Sequence, residues 1–140
     1  MNLDNLPQYF KSLSGTTFEW GIFDCLTFTN DAWYEMYGYG WADDWLGKYL
    51  IEGKPMNKSQ LQKEFGYNSF YDAVDDRLER VEGIPPRGAL VATKRAKRWA
   101  IGSALGISVG LKGAFVSSQG LVYLPLEEFD AAWIEDNNNG

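Results

Sequence analysis

Asp24-Cys25 holds the one residue of this 140-residue chain with a ready nucleophile, and no histidine stands anywhere to serve it. A cysteine in the first turn of a helix is the placement that activates catalytic thiols, because the helix dipole and free N–H groups favour the thiolate. Activation also needs a base, and with no imidazole the Ser-His-Asp and Cys-His pairs are excluded, together with histidine zinc sites and the usual physiological-pH switch. The bland alternative is that Cys25 is a small apolar residue on a buried stripe. A single cysteine excludes an internal disulfide and any cysteine-rich metal site, and it suits a reducing cytosol.

Other clusters carry weaker chemistry. Asp43-Asp44 and Asp75-Asp76 pair carboxylates but sit in no EF-hand or comparable loop, so neither metal nor cofactor is expected. The run Lys94-Arg95-Ala96-Lys97-Arg98 reads as a solvated turn or as a contact for an acidic neighbour. Nucleic acid is a poor match for one five-residue patch on a chain of net charge −6. Eleven of the 22 aromatic residues fall between Phe18 and Tyr49. Trp20, Phe23, Phe28 and Trp33 read as core. The Gly-broken stretch holding Tyr37, Tyr39, Trp41 and Trp45 cannot bury all its rings in one helix. It reads as packing, as an exposed protein interface or as a sugar-stacking platform.

The elements that must position these groups divide at Glu82-Gly83-Ile84-Pro85-Pro86. Residues 1–83 carry a charge of −7 and read as helices, whereas residues 84–126 carry +6, hold no acid and read as strands. Asp24 is suited to cap a helix that runs to Tyr37 and stops at Gly38. A short helix spans Ser59 to Phe65 before Gly66. A third, capped by Ser69, turns Phe70, Ala73, Val74, Leu78 and Val81 inward and Asp72, Asp75, Asp76, Arg77, Glu79 and Arg80 outward. Strands follow at Ala89–Thr93, Ile101–Val109, Ala114–Ser118 and Leu121–Leu124 in an antiparallel meander, with a last short strand at Trp133-Ile134. The Ala104, Gly106 and Ser108 face of the second strand is nearly bare, which suits close packing of the Cys25 helix against it. The tail Asp136–Gly140 is polar and expected to fray.

These features fit one α+β domain over residues 1–140, long enough to bury roughly two-thirds of its unfolded surface. Its helical part covers about 1–83 and its strand-rich part about 84–135. Met1–Phe10 lacks a basic start followed by an apolar run, so no signal peptide is expected. No apolar stretch approaches the roughly 20 residues of a membrane span.

The stretch Trp20-Gly21-Ile22-Phe23-Asp24-Cys25-Leu26-Thr27-Phe28 resembles the Asp-Cys helix start of NlpC-like cell-wall peptidases, which have a papain-like fold. Pro86-Arg87-Gly88-Ala89-Leu90-Val91 resembles the Gly-Asp-Leu-Val strand of that superfamily. Ala104-Leu105-Gly106-Ile107-Ser108-Val109-Gly110 resembles its His-Val-Gly-Ile-x-x-Gly strand. The likeness runs from about Thr17 to Ile134 and is nearest to a branch of tailed bacteriophages associated with tail assembly, with Gly120-Leu121 and Ala132-Trp133 fitting that branch.

The resemblance implies a helical part packed on an antiparallel sheet, with Cys25 at the nucleophile position. It places Ala104 where the catalytic histidine stands, and the third polar residue near Val116 or Ser117. Losing one triad member costs a peptidase several orders of magnitude in rate. The implied protein is a pseudoenzyme: a virion tail component made in the host cytoplasm, docked to other tail proteins in a symmetric assembly. Tyr37, Tyr39, Trp41, Trp45, Lys94, Arg95, Lys97 and Arg98 are its candidate interface. The rivals are a peptidoglycan peptidase or amidase in which Cys25 works with an unconventional or partner-supplied base, and a module that binds peptidoglycan without cutting it.

Overall fold

In the computed structural model, which describes residues 2–94, 104–118 and 120–135, the helix that begins at Cys25 is fixed at both ends by local chemistry. This helix, α2 (Cys25–Tyr37), follows α1 (Asn5–Ser12). At its start the Asp24 side chain accepts the Thr27 N–H at 2.9 Å, and the Thr27 hydroxyl accepts the Asp24 N–H at 2.8 Å. That reciprocal pair satisfies two backbone donors that a helix end otherwise leaves open. At the other end Gly38 takes a left-handed conformation and its N–H closes on the Tyr34 carbonyl. The predicted limits of α2 match the observed ones.

A hairpin of β1 (Leu50–Ile51) and β2 (Lys54–Pro55) leads into α3 (Lys58–Phe65), whose cap is Asn57 in a second reciprocal pair with Gln60. α4 (Phe70–Asp75) starts at the Ser69 cap as expected but stops six residues early. Residues Glu79–Val81 are a strand, β3, and not the last turn of that helix. The reason lies across the sheet. β8 (Ala131–Ile134) needs a partner on its outer edge, and Glu79, Arg80 and Val81 pair with Ile134, Trp133 and Ala132. Asp75 secures the switch by accepting the Trp133 indole N–H and both ends of the Arg80 fork.

The remaining strands are β4 (Leu90–Thr93), β5 (Ala104–Ser108), β6 (Lys112–Ser117) and β7 (Gly120–Pro125). They form the expected antiparallel meander, while β8 returns to the far side of β4, giving the order β3-β8-β4-β5-β6-β7. The chain is therefore α+β, with helices packed on one antiparallel sheet. The basic run from Arg95 through Lys97 to Arg98, residues 101–103 of the predicted second strand and the tail 136–140 lie outside the described residues.

Alternation along the strands divides the core. Leu90, Ala92, Leu105, Ile107, Ala114 and Trp133 face the helices and pack with Cys25, Phe28, Ala32 and Trp33 of α2. Val91, Phe115 and Ala132 form a smaller cluster on the opposite face, joined by Ala104, Leu124 and Phe129. The expectation for β5 was the reverse. The helix lies on the bulky Leu105–Ile107 side, and the bare side is filled by a neighbouring ring. A side-chain carbon on Gly106 would sit 2.7 Å from the Phe115 ring and closer still to the Ala114 carbonyl, so the glycine makes room for Phe115 and not for α2. No helix among the described residues is long and apolar enough to cross a membrane.

Candidate functional site

The Asp24-Cys25 pair lies where α2 meets β5, beneath the turn that carries Gly21. That turn is held by a bridge between Glu19 and Phe23, and Gly21 adopts φ +79° with Leu50 packed where a side chain would start. Its N–H donates to Asp24 Oδ2 at 2.8 Å. The Tyr49 hydroxyl donates to the same oxygen, and Thr27 N–H occupies Oδ1. Asp24 is fully buried and carries three donors, none of them from a basic side chain. It joins the Gly21 turn, the start of α2 and the segment that enters β1. Tyr49 is pushed well above the ordinary phenol range by burial and by its bond to Asp24, which favours the neutral, donating hydroxyl.

Cys25 is 8 % exposed. Burial, with the Asp24 charge second, pushes its thiol up to about 12, although backbone donors from Leu105 and Leu26 pull the other way. This is opposite to the shift that an activated cysteine needs. The helix terminus that would favour a thiolate is outweighed by desolvation and by an adjacent carboxylate. Thr29, one turn on, donates its hydroxyl to the Cys25 carbonyl at 2.7 Å and ties the first turn down further.

A pH dependence of stability follows. The unfolded thiol ionises near its ordinary value of 9 and the folded thiol near 12. Stability contributed by the neutral thiol is complete below pH 9 and is lost as pH rises toward 12, because only the unfolded chain gives up the proton in that window. Denaturant melts of the wild type and Cys25→Ala are expected to show a stability difference that is constant below pH 9 and shrinks above it. A difference that moves between pH 5 and 8 contradicts this placement.

The side chain of Ala104 starts on the sheet face away from α2, among Val91, Phe115 and Ala132. The β5 side chains turned toward the helix are Leu105 and Ile107, both fully buried. A side chain at 104 therefore starts on the face of β5 opposite to the one that packs on α2. The structure thus brings Cys25 together with an apolar strand face and a saturated carboxylate. The Val116 and Ser117 positions sit on β6, on the far side of β5 from β4.

The aromatic segment is corrected more sharply. Trp41 and Trp45 are 5 % and 6 % exposed and form an edge-to-face pair at 5.5 Å. The Trp41 indole donates to Thr29 Oγ1 at 3.1 Å, and the Arg77 guanidinium lies 3.9 Å from the Trp45 ring centre. These two are core residues and offer no stacking surface. Tyr37 is half-buried and Tyr39 is 49 % exposed, with ring centres 5.9 Å apart. Of the four, Tyr39 alone is exposed.

The acid pairs serve the fold. Asp43 accepts from Asn30 and the Tyr34 hydroxyl at 2.7 and 2.8 Å, and these bonds hold its carboxyl below the usual range. Asp44 takes both arms of Arg77 at 2.6 Å and is lowered for that reason. Asp76 accepts from the Tyr67 hydroxyl at 2.7 Å. Among the described residues no group of three metal-ligating side chains converges. Lys94, at the end of β4, is exposed and gives its backbone N–H to Asp130 at 2.6 Å. Sequence reasoning missed Tyr49. It is one tyrosine of eight, and its role comes from a contact across 25 positions that no local pattern announces.

Two hollows lie elsewhere. One, of about 160 Å³, opens between α3 and α4 over Leu26 and Trp45. The other, of about 440 Å³, runs between α1 and the end of the sheet. Cys25 lines neither of them.

Over residues 3–134 the chain matches a family described as a domain of unknown function, DUF6950. The chain belongs to the DUF6950 family. Membership fixes a shared domain across almost the whole length and brings no activity with it. No curated protein matches the chain.

Proposed function

We propose that this DUF6950 chain is a non-catalytic structural or assembly component of a bacteriophage tail, built on the framework of an NlpC-like cysteine peptidase whose chemistry has been lost. The observation that carries the non-catalytic part is the state of Cys25. Its thiol is buried, shifted away from ionisation and faced by Leu105 and Ile107, in a chain without any imidazole. A carboxylate does not replace the imidazole, because its pKa lies several units below that of the thiol. The tail assignment rests on the resemblance of the three motifs around Cys25, Ala89 and Ala104. In this reading the chain is made in the host cytoplasm and docks onto other tail proteins in a symmetric assembly. Its surface contacts fall to Tyr39 and Lys94 rather than to the buried tryptophans. The sugar-stacking reading loses its platform with the burial of Trp41 and Trp45.

Quantitative mass spectrometry of purified virions from a phage encoding this chain tests the assignment. The chain is expected in fixed stoichiometry with the tail proteins, or in fixed ratio with tail intermediates isolated before head joining. Its absence from both overturns the tail role. Hydrolysis of purified peptidoglycan that disappears in Cys25→Ala overturns the non-catalytic part separately.

A further inference from the structure

We infer that the cleft between α1 and the sheet end is a recognition site for an acidic, extended peptide, whose carboxylate is held by Lys11 and Arg87. Pro7 and Phe10 of α1 form one wall of this roughly 440 Å³ space, and Val109 and Tyr123 form the other. A volume of that size suits one or two side chains. Its charge is the informative feature. The chain as a whole carries −6, yet the ionisable carriers of charge lining this cleft are two cations, with no acid among them.

Arginine usage across the fold sharpens the point. Arg77 and Arg80 each grip a carboxylate with both arms, on Asp44 and Asp75 respectively. Arg87, alone among the arginines of the described residues, makes no ion pair there, and Lys11 makes none either. The sequence that follows Arg87 offers no partner, because residues 84–126 contain no acid, and Glu82 just before it makes no ion pair with Arg87 among the described residues. A planar guanidinium left unpaired in a concave site is matched in geometry to a carboxylate from outside. Two like charges in one cleft also focus the field that draws such a group in.

The rest of the site favours a peptide over a bare anion. Apolar walls flank the cations and suit an apolar residue next to the acid. Tyr123 belongs to β7, the end strand of the sheet, which pairs on one side with β6. No other strand among the described residues pairs with its outer edge, and strand addition is a common mode of peptide capture. The strand Gly120–Pro125 carries no charged residue, so nothing of its own repels an incoming chain. This inference stands on the cleft alone and does not require the tail role.

The test uses the full chain and two acetylated, amidated seven-residue peptides, one with a central Glu flanked by valines and one with Gln in its place. Binding is followed by NMR titration. The Glu peptide is expected to shift Tyr123 and Phe10 resonances. The Gln peptide is expected to bind at least about tenfold more weakly, as a lost charge-assisted bond implies. Arg87→Gln and Lys11→Gln each lower affinity by a similar factor, Arg87→Lys lowers it less, and Lys48→Gln, beside Asp44, leaves it unchanged. All three positions are exposed, and unchanged melting temperatures verify that the variants fold. Three results overturn the inference: equal binding of the two peptides, equal weakening by Lys48→Gln, or displacement of the peptide by inorganic phosphate at the same concentration. Absence of binding at millimolar peptide overturns it as well.

Discussion

Asp24→Ala is expected to lower the stability of the fold by about 3–5 kcal/mol, a large share of the roughly 5–15 kcal/mol that holds an ordinary domain together. The substitution leaves the Gly21 N–H, the Thr27 N–H and the Tyr49 hydroxyl without their acceptor, and the last two of these donors belong to buried residues. An unmet buried donor costs about 1–3 kcal/mol, and loss of a helix cap about 1 kcal/mol. The terms overlap, since Thr27 is counted in both, so the sum stays below the arithmetic maximum. A thermal melt should fall by roughly 10–15 °C for a chain of this size. Asp24→Asn keeps one acceptor oxygen and is expected to cost about half as much. Tyr49→Phe removes a donor along with its bond and should cost about 1–2 kcal/mol. If Asp24 served chemistry instead of architecture, Asp24→Ala would leave the melt nearly unmoved.

Trp45→Ala is expected to destabilise the fold by about 3–5 kcal/mol, the usual cost of deleting a large buried ring. The ring sits edge-on to Trp41 and Phe65 at 5.5 and 5.6 Å and tilts against Phe70. It also supports the Arg77 guanidinium, which in turn holds Asp44 and reaches the Trp41 carbonyl. Removing it therefore loosens the segment 41–45 from α3 and α4 together. Denaturant unfolding measures the loss directly. Trp41→Phe retains most of the buried area but gives up the bond to Thr29, so about 1–2 kcal/mol is expected. An exposed interface residue behaves differently, with surface substitutions staying within about 0.5 kcal/mol. Tyr39→Ala should fall in that smaller class.

These two residues also mark where the sequence was and was not informative. Asp24 and Gly38 are local signals, a capping side chain and a left-handed stop, and they delimited α2 correctly before any packing was known. The sheet strands were legible for a similar reason, since apolar runs between Gly turns leave few alternatives. The failures were tertiary. Asp75 to Val81 carries a continuing helical pattern, but the open edge of β8 captures Glu79–Val81 as a strand. In contrast, α1 was legible and passed over: Leu3, Leu6, Phe10 and Leu13 recur at helical spacing. It is held by Tyr9 and Phe10 against Phe28.

The Gly-broken stretch from Tyr37 to Trp45 cannot bury all its rings in one helix, which left packing, interface and sugar platform open. Asn30, fully buried on α2, satisfies the loop by accepting the Ala42 N–H at 2.8 Å and donating to Asp43, and that lets an irregular backbone carry two tryptophans inward. The orientation of β5 was invisible for another reason. Composition showed which face was bare, but the Phe115 ring that fills it comes from the next strand.

A non-catalytic role requires the thiol at the start of α2 to be inaccessible and neutral. Its most direct test is the rate at which iodoacetamide alkylates Cys25 in the native chain, measured from pH 6 to 11 against the same chain in denaturant. With a thiol held near 12 and reached only by opening of the fold, native alkylation is expected to be at least about a hundredfold slower than in denaturant at pH 8, rising only where the fold itself weakens. A native rate that matches or exceeds the unfolded one at pH 8, with a midpoint below 8, would contradict the account and return Cys25 to the role of a nucleophile.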